Sequence, residues 1–101
     1  MTKDEKMLVK HLTSKVASEI ISDAVASMYL IGDCPFEEED IDKCGAELIK
    51  ACEITGPITT TTDGHIMFGD YITEKLFNSM TEVKSFIAFT AANYIDCNDI
   101  I

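Results

Sequence analysis

The chain contains no arginine, no tryptophan and no glutamine, and its eight basic residues are all lysines. Arginine is the side chain best suited to bidentate recognition of phosphate and guanine, so its absence argues against sequence-specific DNA binding. The formal net charge of −10 opposes the electrostatic attraction that supplies most non-specific affinity for nucleic acids and for anionic lipids. We therefore expect no direct binding to nucleic acid or to membranes.

The sequence also lacks a long apolar run. No uninterrupted stretch approaches the ~20 residues that cross a bilayer, and the polar first residues cannot form a signal-peptide core. We therefore expect a cytoplasmic protein whose four cysteines stay reduced. A length of 101 residues with 47% apolar residues is typical of one compact domain, which we assign to 1–101.

The first part of the chain is predicted to be a long N-terminal helix over 3–31. Apolar residues recur there every four positions, and Thr2 with Glu5 has the spacing of a capping box. A helix of that length would span ~43 Å, whereas a domain of this size is only ~33 Å across. The helix must therefore bend, run beside a second copy, or break near its hydroxyl residues, Thr13, Ser14 and Ser18.

Three further helices are predicted, over 36–54, 71–79 and 80–96, with Gly45 marking a close helix–helix contact. Two β-prone runs within 58–68 flank Asp63-Gly64 and predict a hairpin with a two-residue turn, in which Thr61 faces Ile66. The fold class is therefore α-rich, with four helices and one short β-hairpin. The first helix is long, and the fourth has apolar residues on nearly all of its sides. Both features also predict a homodimer.

No motif for metal binding or cofactor binding stands out. The candidate ligands include no closely spaced pair such as Cys-x-x-Cys, and no glycine-rich loop could hold a phosphate. We therefore expect no metal, no cofactor and no catalytic residue. The metal-ligand candidates considered are Cys34, Cys44, Cys52, Cys97, His11 and His65.

Charge is distributed unevenly along the chain. Residues 1–16 carry four lysines and two carboxylates, or +2, which leaves −12 for the remainder. Six carboxylates lie within 33–42, and Glu47 continues the series. Such a surface would attract a basic partner protein and favour the correct alignment of the two proteins in their complex. The predicted partner-binding residues are Asp33, Glu37, Glu38, Glu39, Asp40, Asp42 and Glu47.

These features favour a non-enzymatic interaction module, an inhibitor or regulator that engages a basic surface of a protein partner. Virus-encoded inhibitors of host nucleic-acid or defence machinery that act by nucleic-acid mimicry are an analogy of size and charge. An alternative is a small-ligand-binding protein with a pocket between hairpin and helices, where His65, Tyr71 or Tyr94 would supply polar groups. A third is a small enzyme that uses Cys34 or a carboxylate pair.

Overall fold

The computed structural model describes residues 2–28 and 37–98, with side chains described as far as residue 94. Within these ranges the chain forms four α-helices and a small three-stranded sheet, so the predicted α-rich class with one hairpin is confirmed. The predicted turn at 32–35, including Asp33 and Cys34, lies outside the described residues. The elements in chain order are α1 (Lys3–Lys15), α2 (Ser18–Ala26), α3 (Glu38–Cys52), β1 (Ile58–Thr60), β2 (Ile66–Phe68), β3 (Tyr71–Ile72) and α4 (Met80–Asn98).

The predicted N-terminal helix is two helices, as the size argument allowed. Val16 and Ala17 have extended backbone and redirect the chain between α1 and α2. Just before this point the hydroxyls of Thr13 and Ser14 donate to carbonyl groups of the preceding turn, a local bonding pattern that weakens and bends helices. Val16 lies at the break and is buried in the core with Leu8 and Leu12. The predicted long helix over 3–31 therefore breaks near Thr13, Ser14 and Ser18, one of the three outcomes that its length allowed, and 29–31 lie outside the described residues.

The hairpin is present, but its register differs by one residue from the predicted one. Thr60 faces Ile66, the Thr61 N–H donates to the His65 carbonyl, and the remaining loop has three residues, 62–64, with a φ of 96° at Gly64. The Thr61 hydroxyl accepts from the His65 backbone N–H, which closes the wider loop. This register places Ile58 opposite Phe68 on the inner face, where burial favours it.

The predicted helix over 71–79 is wrong. Tyr71–Ile72 forms β3, which pairs with β2 and completes an antiparallel sheet in the order β1-β2-β3. The backbone N–H groups of Glu74 and Lys75 donate to the Asp4 carboxylate in α1. A tertiary contact from the other end of the chain therefore holds this segment extended. This contact outweighs the local helix propensity of the segment.

The core lies around α4, which packs against α1, α2 and most extensively against α3. The sequence left open whether this apolar helix is the centre of the fold or an interface, and within the described residues it is the centre. Ile66 and Phe68 of the sheet close one side of this core. The largest fully buried hydrophobic side chains are Leu8, Leu12, Ile21, Met28, Leu48, Ile66, Ile87 and Val25.

Candidate functional site

The predicted acidic surface lies at the start of α3. Residue 37 is the N-cap of this helix, and the three glutamates at 37–39 are exposed to solvent. No side-chain hydrogen bond caps the helix, so none of these carboxylates is used in that way. Asp33, the first member of the predicted set, lies outside the described residues.

The carboxylates of α3 lie on different sides of the helix. At 3.6 residues per turn, Glu38 and Asp42 share one side, whereas Asp40 and Glu47 share the opposite one. Glu39 lies between these pairs, on the side that also carries the lysines at 43 and 50. The negative charge is therefore concentrated at the N-terminal end of α3, within 37–42, and does not form a stripe along one edge.

One of these carboxylates is paired. The Asp42 carboxylate lies 3.1 Å from the Lys84 ammonium in α4, and both side chains are partly exposed. Such surface ion pairs contribute about 0–1 kcal/mol. Within the part of the chain that the structure describes, no other ion pair neutralises the acidic end of α3.

The described cysteines are core residues. Cys44 and Cys52 lie on the buried side of α3 with free thiols. Burial, with a smaller contribution from Glu47, raises the pKa of the Cys44 thiol to about 11, and burial raises the pKa of Cys52 as well. A thiol with a raised pKa is a poor nucleophile and a poor metal ligand at neutral pH. Among the described residues, no group of three or more histidine, cysteine or acidic side chains could hold a metal ion.

Both histidines hold backbone segments in place. His11 Nε2 lies 2.7 Å from the carbonyl oxygen of Gly56, and His65 Nδ1 lies 2.7 Å from that of Thr73. A carbonyl oxygen only accepts, so each of these ring nitrogens carries the proton. The ring nitrogen that takes no part in this bond is Nδ1 in His11 and Nε2 in His65.

A buried cluster around Asp4 was not predicted from the sequence. This side chain is only 6% exposed and accepts three hydrogen bonds, from the Tyr71 hydroxyl and from the N–H groups of Glu74 and Lys75. Burial alone would raise the pKa of Asp4, but these bonds and the nearby His65 hold it below the usual value. The bond also raises the pKa of Tyr71 to about 12. The cluster joins α1 to β3 and the segment after it.

Two grooves could accommodate a small molecule. The larger, of about 690 Å³, lies between the start of α1, the 74–75 segment and α4, and includes Phe86 and Phe89. The second, of about 390 Å³, lies between α1 and the turn that joins β2 to β3. Tyr71, one of the predicted polar groups for a ligand pocket, lines the second groove, whereas His65 and Tyr94 line neither.

Comparisons with known proteins add no functional information. No protein-family model matches the chain, no curated protein is similar to it, and no solved structure matches it. No helix in the described ranges combines the length and the apolar character required to span a bilayer.

Proposed function

We propose that the protein is a non-enzymatic, acidic interaction module of the cytoplasm that inhibits or regulates a partner by engaging its basic surface. The observation that carries this proposal is the concentration of five carboxylates within 37–42, of which only Asp42 has an ion-pair partner in the described structure. The absence of arginine and the net charge of −10 point to a basic partner in the same way.

The arrangement at the end of a helix favours contact with a concave basic surface. Carboxylates that spread around α3 can meet positive charges on several sides of a groove, whereas a flat partner would meet only one side. A groove that ordinarily holds nucleic acid has this shape and charge, so the protein would compete with the nucleic acid for it. Partner binding of this kind weakens as salt increases, because the Debye length is about 8 Å at physiological ionic strength.

The experiment compares two triple variants with equal net charge. The first replaces the exposed glutamates at the start of α3 (Glu37→Gln, Glu38→Gln, Glu39→Gln). The control replaces three exposed carboxylates elsewhere (Glu19→Gln, Asp23→Asn, Asp63→Asn). Each set removes three negative charges and changes the net charge from −10 to −7.

The probe is a fluorescent oligo-arginine peptide, titrated at low and at physiological salt with and without duplex DNA as competitor. We expect the α3 variant to lose about tenfold or more in affinity, and the control variant to lose clearly less, because short-range contacts matter beyond net charge. Equal losses for the two variants would show that only overall charge attracts the peptide and would contradict the proposal.

The groove between α1 and the β2–β3 turn favours a second candidate function, the binding of a small ligand. Its volume of about 390 Å³ falls within the range of small-molecule sites. Tyr71, one of the three residues that the sequence offered as polar groups, lines it, although its hydroxyl donates to Asp4.

A further inference from the structure

The groove between α1 and the β2–β3 turn is lined by a histidine, one of whose ring nitrogens bonds to none of the described residues. His11 is only 8% exposed and lines this groove. Its Nε2–H donates to the Gly56 carbonyl, so Nδ1 of the neutral ring carries a lone pair. Among the described residues, none donates a hydrogen bond to Nδ1. A ring N–H of a ligand can donate a hydrogen bond to this nitrogen.

The space beside this acceptor is open because residue 69 is glycine. A Cβ atom at Gly69 would lie 3.9 Å from His11 Nδ1, in van der Waals contact with it. Gly69 and His11 together line this groove, and both also line a smaller groove beside Gly56 and Thr59. Without a side chain at this position, a ligand atom can approach Nδ1.

The walls of the groove are aromatic. The ring of Phe68 lies 5.3 Å from the ring of His11 and 5.5 Å from that of Tyr71, measured between centroids. The Tyr71 hydroxyl donates to Asp4, so the ring, rather than a free hydroxyl, is offered to the groove. Aromatic walls favour a planar ring in offset or edge-to-face contact.

The rim of the groove carries a positive charge. Lys10 lies one residue before His11 on α1, is exposed, and forms no ion pair within the described ranges. A ligand with an acidic substituent could therefore pair with this ammonium group while its ring lies deeper in the groove. Asp70, on the opposite rim, disfavours a second anionic group on that side.

We propose that this groove binds a small planar heteroaromatic acid whose ring N–H donates to His11 Nδ1 and whose acidic group pairs with Lys10. The ring packs against Phe68 and Tyr71. The site is separate from the acidic end of α3, and its existence does not depend on the proposed protein partner.

The first experiment compares two matched compounds by NMR at about pH 8, where imidazole is neutral. Indole-3-carboxylate has the ring N–H, and benzothiophene-3-carboxylate has a similar shape without it. We expect the indole to bind about tenfold more tightly, as the loss of one buried hydrogen bond predicts. The ¹⁵N shift of His11 Nδ1 should start at the value of an unprotonated ring nitrogen and move only with the indole. His65, which lines neither large groove, is the internal control and should not respond.

The second experiment uses variants of the two polar groups. His11→Gln keeps an N–H that can donate to Gly56 but replaces Nδ1 with a carboxamide oxygen in a different position, so the preference for indole over benzothiophene should fall. Lys10→Gln should weaken binding of both carboxylates several-fold. Lys6→Gln, one turn earlier on the same helix and outside the groove, should leave binding unchanged.

Three results would overturn the proposal. The first is a proton on His11 Nδ1 in the ligand-free protein, because the acceptor would then not exist. The second is equal affinity for the two compounds in the unaltered protein. The third is the absence of any saturable shift at millimolar concentrations of indole-3-carboxylate. The ligand comparison needs no substitution, so misfolding of a variant cannot produce any of these results.

Discussion

A Cβ atom on Gly45 would lie 2.5 Å from the carbonyl oxygen of Lys84. It would also lie 2.7 Å from the Cβ of Lys84, so α3 and α4 approach each other backbone to backbone at this point. The close helix–helix contact that the mid-helix glycine predicts is therefore confirmed. The contact lies one turn from the Asp42–Lys84 ion pair, which spans the same interface.

We expect Gly45→Ala to destabilise the protein by about 2 kcal/mol, because the added methyl group forces the two helices apart. Helix propensity alone predicts the opposite sign, a gain of about 1 kcal/mol. The free energy of unfolding is measured by urea denaturation followed by circular dichroism. Ala46→Gly is the control and should cost only the propensity of about 1 kcal/mol. A more stable Gly45→Ala protein would contradict the backbone contact.

We expect Asp4→Asn to reduce stability by about 1–3 kcal/mol at neutral pH, because its three donors lose a charged acceptor. The pKa of Asp4 is lower in the folded than in the unfolded chain, so the ionised form stabilises the fold above about pH 4. That stability is lost as the pH falls through the folded pKa. Below about pH 4 the unfolding free energy should therefore decrease more steeply in the wild type than in Asp4→Asn. Parallel curves would contradict this role, and Asp63→Asn, in the exposed turn, is the control.

We expect one tyrosine to titrate late, with a pKa of about 12, because the Tyr71 hydroxyl donates to the Asp4 carboxylate and is partly buried. Since the folded pKa is raised above about 10, this contribution to stability is complete below that pH and is lost as the pH rises through about 12. The ultraviolet absorbance of tyrosinate measures it. The late component should disappear in Tyr71→Phe and return towards about pH 10 in Asp4→Asn. A late component that persists in Tyr71→Phe would assign it to another tyrosine.

The parts of the fold that local chemistry decides could be predicted from the sequence. The capping box of Thr2 and Glu5 forms as expected, and the hydroxyl of Ser79 accepts from the Glu82 N–H at the start of α4. The length argument correctly required a first helix that bends, breaks or pairs. It could not select the break, because apolar residues recur every four positions from Leu8 through Leu12 to Val16 and fit a continuous helix equally well.

The parts that distant residues decide could not be predicted. Asp4 and the 74–75 segment are about 70 positions apart, so nothing near residue 71 signals that an α1 carboxylate will hold it extended. The bond from His11 to Gly56 spans 45 positions for the same reason. The charge run over 33–42 was visible in the sequence, but its spread around α3 follows from a helix register that begins at Glu38.

The homodimer stays a prediction, and fewer observations favour it than the sequence suggested. The first helix is shorter than expected, and α4 packs against other helices. However, two apolar side chains near the start of α4 are exposed, Leu76 by 57% and Met80 by 52%. We expect light scattering at micromolar concentration to give twice 11.2 kDa. Leu76→Glu with Met80→Glu should return the mass to that of one chain. Ile54→Glu, 94% exposed after α3, should not. A wild-type mass of 11.2 kDa would contradict the dimer.

The buried thiols of α3 should react only when the protein unfolds. In a Cys34→Ser, Cys97→Ser background, the remaining cysteines are Cys44 and Cys52, both fully buried. Burial prevents access of a disulfide reagent and also lowers the thiolate fraction by raising both pKa values. We expect reaction in native buffer at about pH 8 to be at least about 100-fold slower than in denaturing urea. The rate should increase in the destabilised Gly45→Ala background, because opening then becomes more frequent. Equal rates with and without urea would show that α3 does not bury these residues.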